Sequence, residues 1–238
     1  SNTGRRVTTT STLGATTYTS ANNGQTKSRI LFTGTVTLNG AVGMTFEDCE
    51  FQGGPGSGTY FNLIATNASG TVVNYCTFNG ANGPTCIHAG NITVTRCYFT
   101  DFENMIRTHS NITVSECLGE LPSLVDASAH IDGMEITGSP GVSVSNVYIT
   151  DTRIDIGRTH VTSPFYCSPY IGLSHVIATR CWFIGGSFTG YSEWNTSDVQ
   201  VVDCRFDNGI YGAFTNRTPG SITVWSGNSA NGLPLAQP

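Results

Sequence analysis

Short stretches of alternating apolar and polar residues recur along this chain, and a polar pair interrupts each of them. The two most alike read NITVTRCYF at 91–99 and NITVSECLG at 111–119. In both, apolar residues stand five and three positions before a cysteine. Alternation with a period of two is typical of β-strands, because successive side chains point to opposite faces. Each copy is therefore predicted to form a strand, a corner and a second strand.

The same template, anchored on its cysteine, fits eight segments of the chain. The anchors are Cys49, Cys76, Cys97, Cys117, Val147, Cys181, Cys204 and Gly227. Repeats of a little over twenty residues indicate a solenoid. One such repeat makes about one three-sided turn of short strands, stacked about 4.8 Å from the next, and parallel crossovers are nearly always right-handed. The sequence thus predicts an all-β fold, a right-handed single-stranded parallel β-helix of about eight or more coils.

The domain organisation follows from where the repeats begin and how far apart they are. Residues 1–27 are polar and weakly patterned, which indicates a lead-in, a linker or a cap. The β-helix domain is expected to occupy 28–238. The longest intervals between anchors predict insertions at about 118–146 and 148–180. Such insertions must leave the solenoid as loops, and loops on a rigid scaffold often carry function.

Stacked coils place equivalent residues directly above one another. Cysteine behaves as a small buried hydrophobe, and sulfurs in a row do not form the tetrahedral shell of a zinc site. We therefore expect a ladder of reduced core cysteines, rather than disulfides or a metal site, and folding in a reducing compartment. Cys86 is expected to begin a second interior stack with Ile106. Asn91 and Asn111, each just before a strand, predict an asparagine turn ladder.

Composition narrows the range of partners. Only 11% of the residues are charged, and the net charge is −5. Nucleic acid and anionic membrane surfaces both favour a basic protein surface. No apolar run approaches the roughly 20 residues of a membrane-spanning helix. We expect no nucleic-acid partner, no membrane insertion, no metal and no cofactor.

Titratable side chains concentrate in and beside the two predicted insertions. They include Glu103, Arg107, His109, Asp126, His130, Asp132, Glu135, Asp151, Arg153, Asp155, Arg158 and His160. Alternation places Met134 and Ile136 inside, so Glu135 points outward. By the same argument Arg107, Arg153 and Asp155 point outward, and stacking could bring all of them onto one face.

Carboxylates on neighbouring coils suit glycoside hydrolysis, and an outward arginine suits the binding of a sugar acid. The catalytic candidates are Asp132, Glu135 and Asp155. The substrate-binding candidates are Arg107, His109, His130, Arg153, Arg158, Tyr166 and Trp194. Further aromatic residues that could stack on sugar rings are Phe165, Tyr170 and Tyr191. Two other interpretations stay open: the charged residues form a solvated, salt-bridged face, and the aspartate of "IDG" only makes a turn.

The coil pattern, the asparagine turns and the interior Cys, Val and Phe positions resemble the right-handed parallel β-helix superfamily of pectate lyases, polygalacturonases and phage tailspikes. The resemblance covers about 28–229. The segment HIDGMEI at 130–136 is similar to the NTDGxD motif of polygalacturonase-type hydrolases, which implies that Asp132 and Glu135 occupy carboxylate positions of an acid/base pair. Glutamate replaces the second aspartate of that motif. The Asp-Asp pair, Gly-His-Gly and Arg-Ile-Lys of those hydrolases are missing.

The same segment, read as HxDGxE, also resembles β-helix tail proteins of phages that infect actinobacteria, and VWSGNSANGLPL at 224–235 is similar to their ends. This resemblance implies a virion protein, commonly a homotrimer, that folds in the host cytoplasm and acts extracellularly. We predict a carbohydrate-recognising domain of a phage tail fibre or tailspike that binds bacterial surface polysaccharide, with cleavage left open. The alternatives are a polygalacturonase-like hydrolase or polysaccharide lyase, and a structural solenoid spacer without a ligand.

Overall fold

The computed structural model describes residues 3–52, 61–120, 122, 130–137, 141–157, 163–168 and 172–238. These residues form 27 strands and one 3-10 helix, Ser20–Asn22. Every strand pairing among them is parallel except the last one, and the strands stack coil upon coil. The predicted parallel β-helix is confirmed. Among the described residues, no helix has the length and apolar character needed to span a membrane.

Three faces make up each coil, and each face is a stack of parallel strands. Face 1 consists of β1 (Ser11–Leu13), β4 (Ile30–Phe32), β7 (Glu50–Gln52), the start of β10 (Thr77–Ala89), the start of β12 (Tyr98–Thr108), β14 (Leu118–Gly119), β17 (Arg153–Asp155), β20 (Trp182–Ile184), β23 (Arg205–Asp207) and β26 (Ser229–Ala230). The short strand β27 (Leu233–Pro234) pairs antiparallel with β26 and ends the face.

Face 2 follows face 1 in every coil, and β10 and β12 run continuously through the corner between them. Face 2 consists of β2 (Thr16–Thr19), β5 (Val36–Val42), β8 (Phe61–Ser69), the ends of β10 and β12, β15 (Asp132–Ile136), β18 (Phe165–Cys167), β21 (Phe188–Ser192) and β24 (Gly212–Asn216). Face 3 consists of β3 (Thr26–Ser28), β6 (Thr45–Glu47), β9 (Thr71–Asn74), β11 (Ile92–Thr95), β13 (Ile112–Ser115), β16 (Val144–Thr150), β19 (Leu173–Thr179), β22 (Val199–Val202) and β25 (Ile222–Ser226).

The interior is filled by rows of like residues. On face 1, the rings of Phe32, Phe51, Phe78 and Phe99 stack coil on coil, with centroid distances of 5.0, 4.5 and 4.9 Å. All four rings are fully buried, and each contributes about 1.5–3 kcal/mol to folding by leaving water. Repetition of the same apolar residue at the same position therefore stabilises every coil in the same way.

Strand pairing corrects the predicted register of two coils. Val147 pairs with Ile112 and Ile149 with Val114, so Thr152, and not Val147, is the equivalent of Cys117. In the last coil Asn228, and not Gly227, accepts a hydrogen bond from the Cys204 amide at 2.8 Å. The first error arose because Val142 and Val144 stand five and three positions before Val147, so the template fits this segment as well. The corrected intervals from Cys117 to Thr152 and from Thr152 to Cys181 are 35 and 29 residues.

The corrected register explains which residues this corner position accepts. The Cys97 amide donates to Cys117 Sγ at 3.4 Å, and that thiol donates to the Ser115 carbonyl at 3.2 Å. Thr152 does the same with its hydroxyl: it accepts from the Cys117 amide at 3.3 Å and donates to the Thr150 carbonyl at 2.9 Å. This corner position requires a small side chain that both accepts and donates a hydrogen bond. The reason is that the backbone amide of the corner residue one coil earlier lies outside the sheet and needs an acceptor.

All eight cysteines are free and buried. Burial raises the pKa of the Cys97 and Cys181 thiols, so they stay protonated at neutral pH. Cys86 does not stack on Ile106 as predicted, because Ile87 occupies that register. The register of β10 is irregular before this point, and it leaves two consecutive residues, Cys86 and Ile87, buried.

The predicted asparagine turn ladder is confirmed at the corner between faces 2 and 3. Asn111 Nδ2 donates to Asn91 Oδ1 at 2.8 Å, and Asn146 Nδ2 donates to Asn111 Oδ1 at 2.9 Å. All three residues have a positive φ, between 53° and 61°. Asparagine tolerates this left-handed backbone better than most residues, so it turns the chain and links neighbouring coils at once.

The coils begin earlier than the repeat template indicates. Strands β1, β2 and β3 lie within or across residues 1–27 and pair in parallel with the next coil. The residues before them cross the corner between faces 3 and 1, where the Gly4 amide donates to the Arg96 carbonyl at 2.9 Å and Arg6 pairs with Asp48. Threonine and serine fill most of the outward positions of this coil, which is why its apolar pattern is weak in the sequence.

The two predicted insertions contain both coil strands and connections. Strands β14, β15, β17 and β18 lie within them, and each pairs with the coil before it. Most residues of the connections between these strands lie outside the described residues, so the predicted insertion boundaries stay predictions. Along the sequence, these connections precede and follow β15 and β18, and these two strands lie near the centre of face 2.

Candidate functional site

The outward side chains of face 2 change identity from coil to coil and form a single row. Strand pairing aligns Ile64, His88, Arg107, Glu135, Tyr166 and Tyr191. We refer to these six residues as the face 2 row. With neighbouring strands about 4.8 Å apart, the row extends over about 24 Å. The row begins with the apolar Ile64, continues through His88, Arg107 and Glu135, and ends with two tyrosines.

An ion pair occupies the centre of the row. Arg107 Nη2 lies 3.0 Å from Glu135 Oε1, and the side chains are 33% and 11% exposed. Burial raises the pKa of Glu135, and the nearby Arg107 charge opposes that rise. The second carboxylate oxygen, Oε2, and Thr137 Oγ1 are buried and make no hydrogen bond of normal geometry with the described residues, and Thr137 is near enough to lower the pKa of Glu135. A buried polar atom without a partner costs about 1–3 kcal/mol, so each is a position where a ligand could contribute a hydrogen bond.

Two imidazoles lie beside this ion pair. His88 Nε2 and His109 Nε2 are 2.9 Å apart, a hydrogen-bond distance, and the Phe61 ring centroid lies 4.9 Å from that of His88. Burial lowers the pKa of His88 to about 4, with the charges of His109 and Arg107 adding to the effect. Burial and Arg107 also lower the pKa of His109. The pair is therefore uncharged at neutral pH.

The two tyrosines of the row belong to a chain of aromatic rings. Tyr166 and Tyr191 have ring centroids 5.5 Å apart, Tyr191 and Phe188 6.0 Å, and Phe188 and Tyr211 5.9 Å. The Arg217 guanidinium lies 5.3 Å from the Tyr191 ring centroid. Burial raises the pKa of Tyr166 to about 12, so its hydroxyl remains a hydrogen-bond donor. Rings that join an apolar surface to a polar tip are common in binding sites.

Asp132 is placed differently from Glu135. It is 3% exposed, and its Oδ1 accepts a hydrogen bond from the Ser163 amide at 3.1 Å. Gly133 follows, and a Cβ there would lie 2.4 Å from the Pro164 carbonyl oxygen. The "DG" of HIDGMEI therefore joins β15 to the next coil. The structure does not present Asp132 beside Glu135 on the outer surface.

Asp155 and Arg153 do not share a face with Glu135, contrary to the expectation of one charged cluster. Both lie on face 1, because β17 follows the corner at Thr152. Arg153 Nη2 pairs with Asp155 Oδ2 at 3.0 Å, and its guanidinium lies 4.7 Å from the Trp182 ring centroid. Alternation correctly predicted that both point outward, but it carries no information on which face they occupy.

The remaining predicted residues are distributed around face 2. Arg107, His109 and Tyr166 belong to it, and His130 is exposed immediately before β15. Trp194 is 61% exposed in the turn after β21. Arg158 lies outside the described residues, as do Asp126, His160 and Tyr170. No three His, Cys, Asp or Glu side chains of the described segments converge where they could hold a metal ion.

Sequence reasoning missed four contributors to this surface. They are His88, Phe188, Tyr211 and Arg217. An alignment of "CIHAG" at 86–90 with "MIRTH" at 105–109 would have matched His88 to Arg107, as the strand pairing does. Phe188 and Tyr211 lie in coils whose glycine-rich segments hide the alternation.

No protein family model matches this chain, and no curated protein matches it in sequence. Two solved structures that are similar are variants of the tailspike protein of E. coli bacteriophage HK620 in complex with a pentasaccharide, at 12% and 14% identity and TM-scores of 0.47 and 0.38. Each match covers 85% of this chain and 48% of the tailspike chain, so this chain spans about half the tailspike's length. The fluoroquinolone resistance protein QnrB1 is also similar, at 12% identity, a TM-score of 0.27 and coverage of 93% and 91%. At these values the likenesses do not identify a ligand for this chain.

Proposed function

We propose that face 2 binds a bacterial surface glycan, and that the protein is a host-recognition β-helix domain of a phage tail. The observation that carries this proposal is the face 2 row itself. Five consecutive coils present His88, Arg107, Glu135 and two tyrosines in one line, on a solenoid whose interior repeats from coil to coil. A line of about 24 Å suits an extended chain of sugars better than a compact small molecule.

The chemistry of the row matches what a glycan offers. Sugar hydroxyls both donate and accept hydrogen bonds, so they could supply the donor that Glu135 Oε2 lacks and accept from Arg107. The apolar faces of sugar rings could pack on Tyr166 and Tyr191, whose rings are 5.5 Å apart. The exposed residues Tyr211 and Trp194 would extend the contact beyond the row.

Binding without cleavage is the activity that this arrangement favours. Glycoside hydrolysis uses two carboxyl groups about 5–5.5 Å or 6.5–9.5 Å apart across the scissile bond. Of the three acids that the sequence singled out, Asp132 is buried against the next coil and Asp155 lies on face 1. Glu135, whose pKa is raised by burial, is suited to act as a general acid, and this keeps a hydrolase as the second candidate.

The setting that we propose rests on the sequence resemblance of the HxDGxE segment and of the final segment at 224–235. It is a virion protein, assembled as a homotrimer, that folds in the host cytoplasm and acts outside the cell. Arg153 and Arg158 have no assigned part in the proposed glycan contact.

The test is a panel of purified bacterial surface polysaccharides, read for binding and for new reducing or unsaturated ends. We expect at least one polysaccharide to bind without new ends, and Glu135→Gln to weaken that binding. The matched control is Glu116→Gln, because Glu116 also pairs with an arginine of the preceding coil but on an exposed corner. Ends that appear with the wild type and vanish in Glu135→Gln would make the protein a depolymerase. Failure of every polysaccharide to bind would contradict the proposal.

A further inference from the structure

Three side chains able to carry positive charge meet at the basic end of the face 2 row. His88 and Arg107 are paired residues of adjacent coils, and His109 follows Arg107 by two positions, so all three point outward. The two imidazole Nε2 atoms are 2.9 Å apart. The Arg107 guanidinium uses Nη2 for its ion pair with Glu135 and is one-third exposed. The group therefore combines a fixed cation with a pair of imidazoles that can take up protons.

The geometry of the imidazole pair sets how many protons it holds. In a hydrogen bond between two Nε2 atoms one ring donates and the other accepts, so the neutral pair already shares one proton between the rings. A further proton can bind at a ring Nδ1 and keep that bond. A second added proton would turn both rings into cations beside Arg107 and would break the hydrogen bond between the two Nε2 atoms. Phe61, packed on His88, removes water that would otherwise solvate the charge.

Among the described residues, the charge of Arg107 opposes the uptake of a proton by the pair. Strand β8 contributes only the uncharged Phe61 and Ile64 to this region. Strand β12 adds Arg107, whose charge lowers the pKa of both imidazoles, and also carries Glu103. The nearest acid on β15 is Glu135, and its Oε1 is already paired with Arg107. His130, before β15, adds no negative charge. An anion from outside the chain is what would favour protonation.

We propose that His88, His109 and Arg107 form a proton-linked subsite for an anionic substituent of the glycan, a carboxylate or a phosphate. This inference rests on the proposed function and names the class of glycan. Arg107 would donate to the anion through the guanidinium nitrogen not engaged by Glu135, and the protonated imidazole pair would supply the second charge. The anion and the proton stabilise each other because they bind next to one another in a half-buried place.

Linkage gives this subsite a signature in its pH dependence. If a bound anion raises the pKa of the pair by about one unit, affinity should rise as the pH falls from about 6 towards 4, by up to about tenfold in all. The direction follows from the low pKa of the free pair, which keeps the competent state sparsely populated at neutral pH. A neutral sugar bound elsewhere on the face would have no such dependence.

The experiment follows the five histidine imidazoles of the whole chain by NMR as a function of pH, alone and with glucuronate, inorganic phosphate or glucose. Sodium chloride at equal ionic strength controls for screening. The variants His88→Gln and His109→Gln assign the pair and keep a neutral hydrogen-bonding side chain. His175→Asn is the matched control, because His175 lies on face 3 beside Asp198 and has a positive φ that asparagine tolerates.

We expect glucuronate or phosphate to raise the apparent pKa of the pair by about one unit, and glucose to leave it unchanged. A response to glucuronate alone or to phosphate alone would name the substituent. Both Gln variants should lose the effect, and His175→Asn should keep it. Equal shifts with sodium chloride, or none with either anion, would overturn the subsite. Tight binding of a neutral polysaccharide in the panel would also contradict the anionic subsite but would support the proposed function. If the pair responds to the anions but no polysaccharide binds, the subsite stands and the proposed function fails.

Discussion

Faces 2 and 3 are built from the same coils, yet their outer surfaces differ in kind. On face 3, the outward row through Thr93 and Thr113 continues to Tyr148, Ile177 and Gln200, and none of these side chains is charged. On face 2, the equivalent row runs through histidine, arginine, glutamate and tyrosine without repeating until the two tyrosines. Their inner sides are alike, since both pack apolar residues against one core.

The difference separates what each coil needs in order to fold from what it presents to solvent. Every coil has the same corner and strand to form, so the same residue solves the problem each time, as the Asn91–Asn111–Asn146 ladder illustrates. Charged side chains that differ from coil to coil, as in the face 2 row, have no such common task. Buried polar atoms without a hydrogen bond among the described residues occur on both faces, but on face 3 they belong to the uncharged Thr71 and Asn74, whereas on face 2 they include Oε2 of the charged Glu135. We therefore assign folding to the repeating rows and recognition to face 2.

The largest effect is expected at Gly133, where scaffold and face 2 meet. A Cβ at this position would lie 2.4 Å from the Pro164 carbonyl oxygen and 2.5 Å from Ile154 Cγ2. Because backbone cannot move aside cheaply, Gly133→Ala should lower the free energy of unfolding by about 3 kcal/mol or more. Urea denaturation measures this. Gly172→Ala is the control, since its Cβ would meet only Ser143 Oγ at 3.5 Å. Equal stability of the two variants would contradict a structural role for the "DG" segment.

The next effect separates the two faces by function. Glu135→Ala should weaken glycan binding about 10- to 100-fold, because it removes a charged hydrogen-bond acceptor from a nearly buried place. Glu116→Ala breaks an exposed pair with Arg96 and should change both affinity and stability by less than about 0.5 kcal/mol. Isothermal titration with the polysaccharide found in the panel measures both. Matching losses in the two variants would mean that face 2 is an ordinary charged surface.

A smaller effect tests the corner position of the scaffold. Cys117→Ala leaves the Cys97 amide without its acceptor and should cost about 1–2 kcal/mol of stability. Cys117→Thr should cost less than about 1 kcal/mol, because Thr152 makes the same two hydrogen bonds one coil later. Neither variant should alter glycan binding. Thermal and urea unfolding decide the matter, and a threonine variant as weak as the alanine one would refute the requirement for a donor and acceptor.

The smallest expected effect is on the stability of the fold at acidic pH. The folded-state pKa of His88 is about 4, below the usual 6.5, so the unfolded chain binds more protons between these values. Stability should therefore decline as the pH falls from about 6.5 towards 4, with His88 responsible for about 1 kcal/mol after allowance for its partial exposure. His88→Gln should show a shallower decline over this range in urea midpoints. An identical decline in wild type and variant would place the acid sensitivity elsewhere.

Sequence pattern alone predicted the fold, the asparagine ladder and the direction of most side chains. It placed Met134 inside and Glu135, Arg107 and Arg153 outside, because alternation within a strand is a local property. It could not assign faces. Whether Arg153 lies beside Glu135 depends on the register between coils, and alternating valines before Val147 concealed that register.

The candidate site depended still more on register. His88 became visible as a site residue only when β10 was paired with β12, because nothing in its own segment marks it. Asp132 shows the same dependence: the motif identified a carboxylate, but only the position of Ser163 in the next coil reveals that one of its oxygens accepts a backbone hydrogen bond. Long-range pairing, rather than composition, decides which polar residues meet.

The most direct test of the central claim compares the two faces in one binding measurement. The double variant Tyr166→Ala/Tyr191→Ala removes both aromatic rings of the face 2 row. The variant Tyr148→Ala removes a partly exposed ring from the outer side of face 3. Affinity for the panel's best polysaccharide would be measured by titration, with unfolding curves confirming that both proteins are folded. We expect the double variant to lose binding at least about tenfold and Tyr148→Ala to match the wild type. Binding that survives in the double variant and falls in Tyr148→Ala would contradict it, and recognition would then belong to face 3.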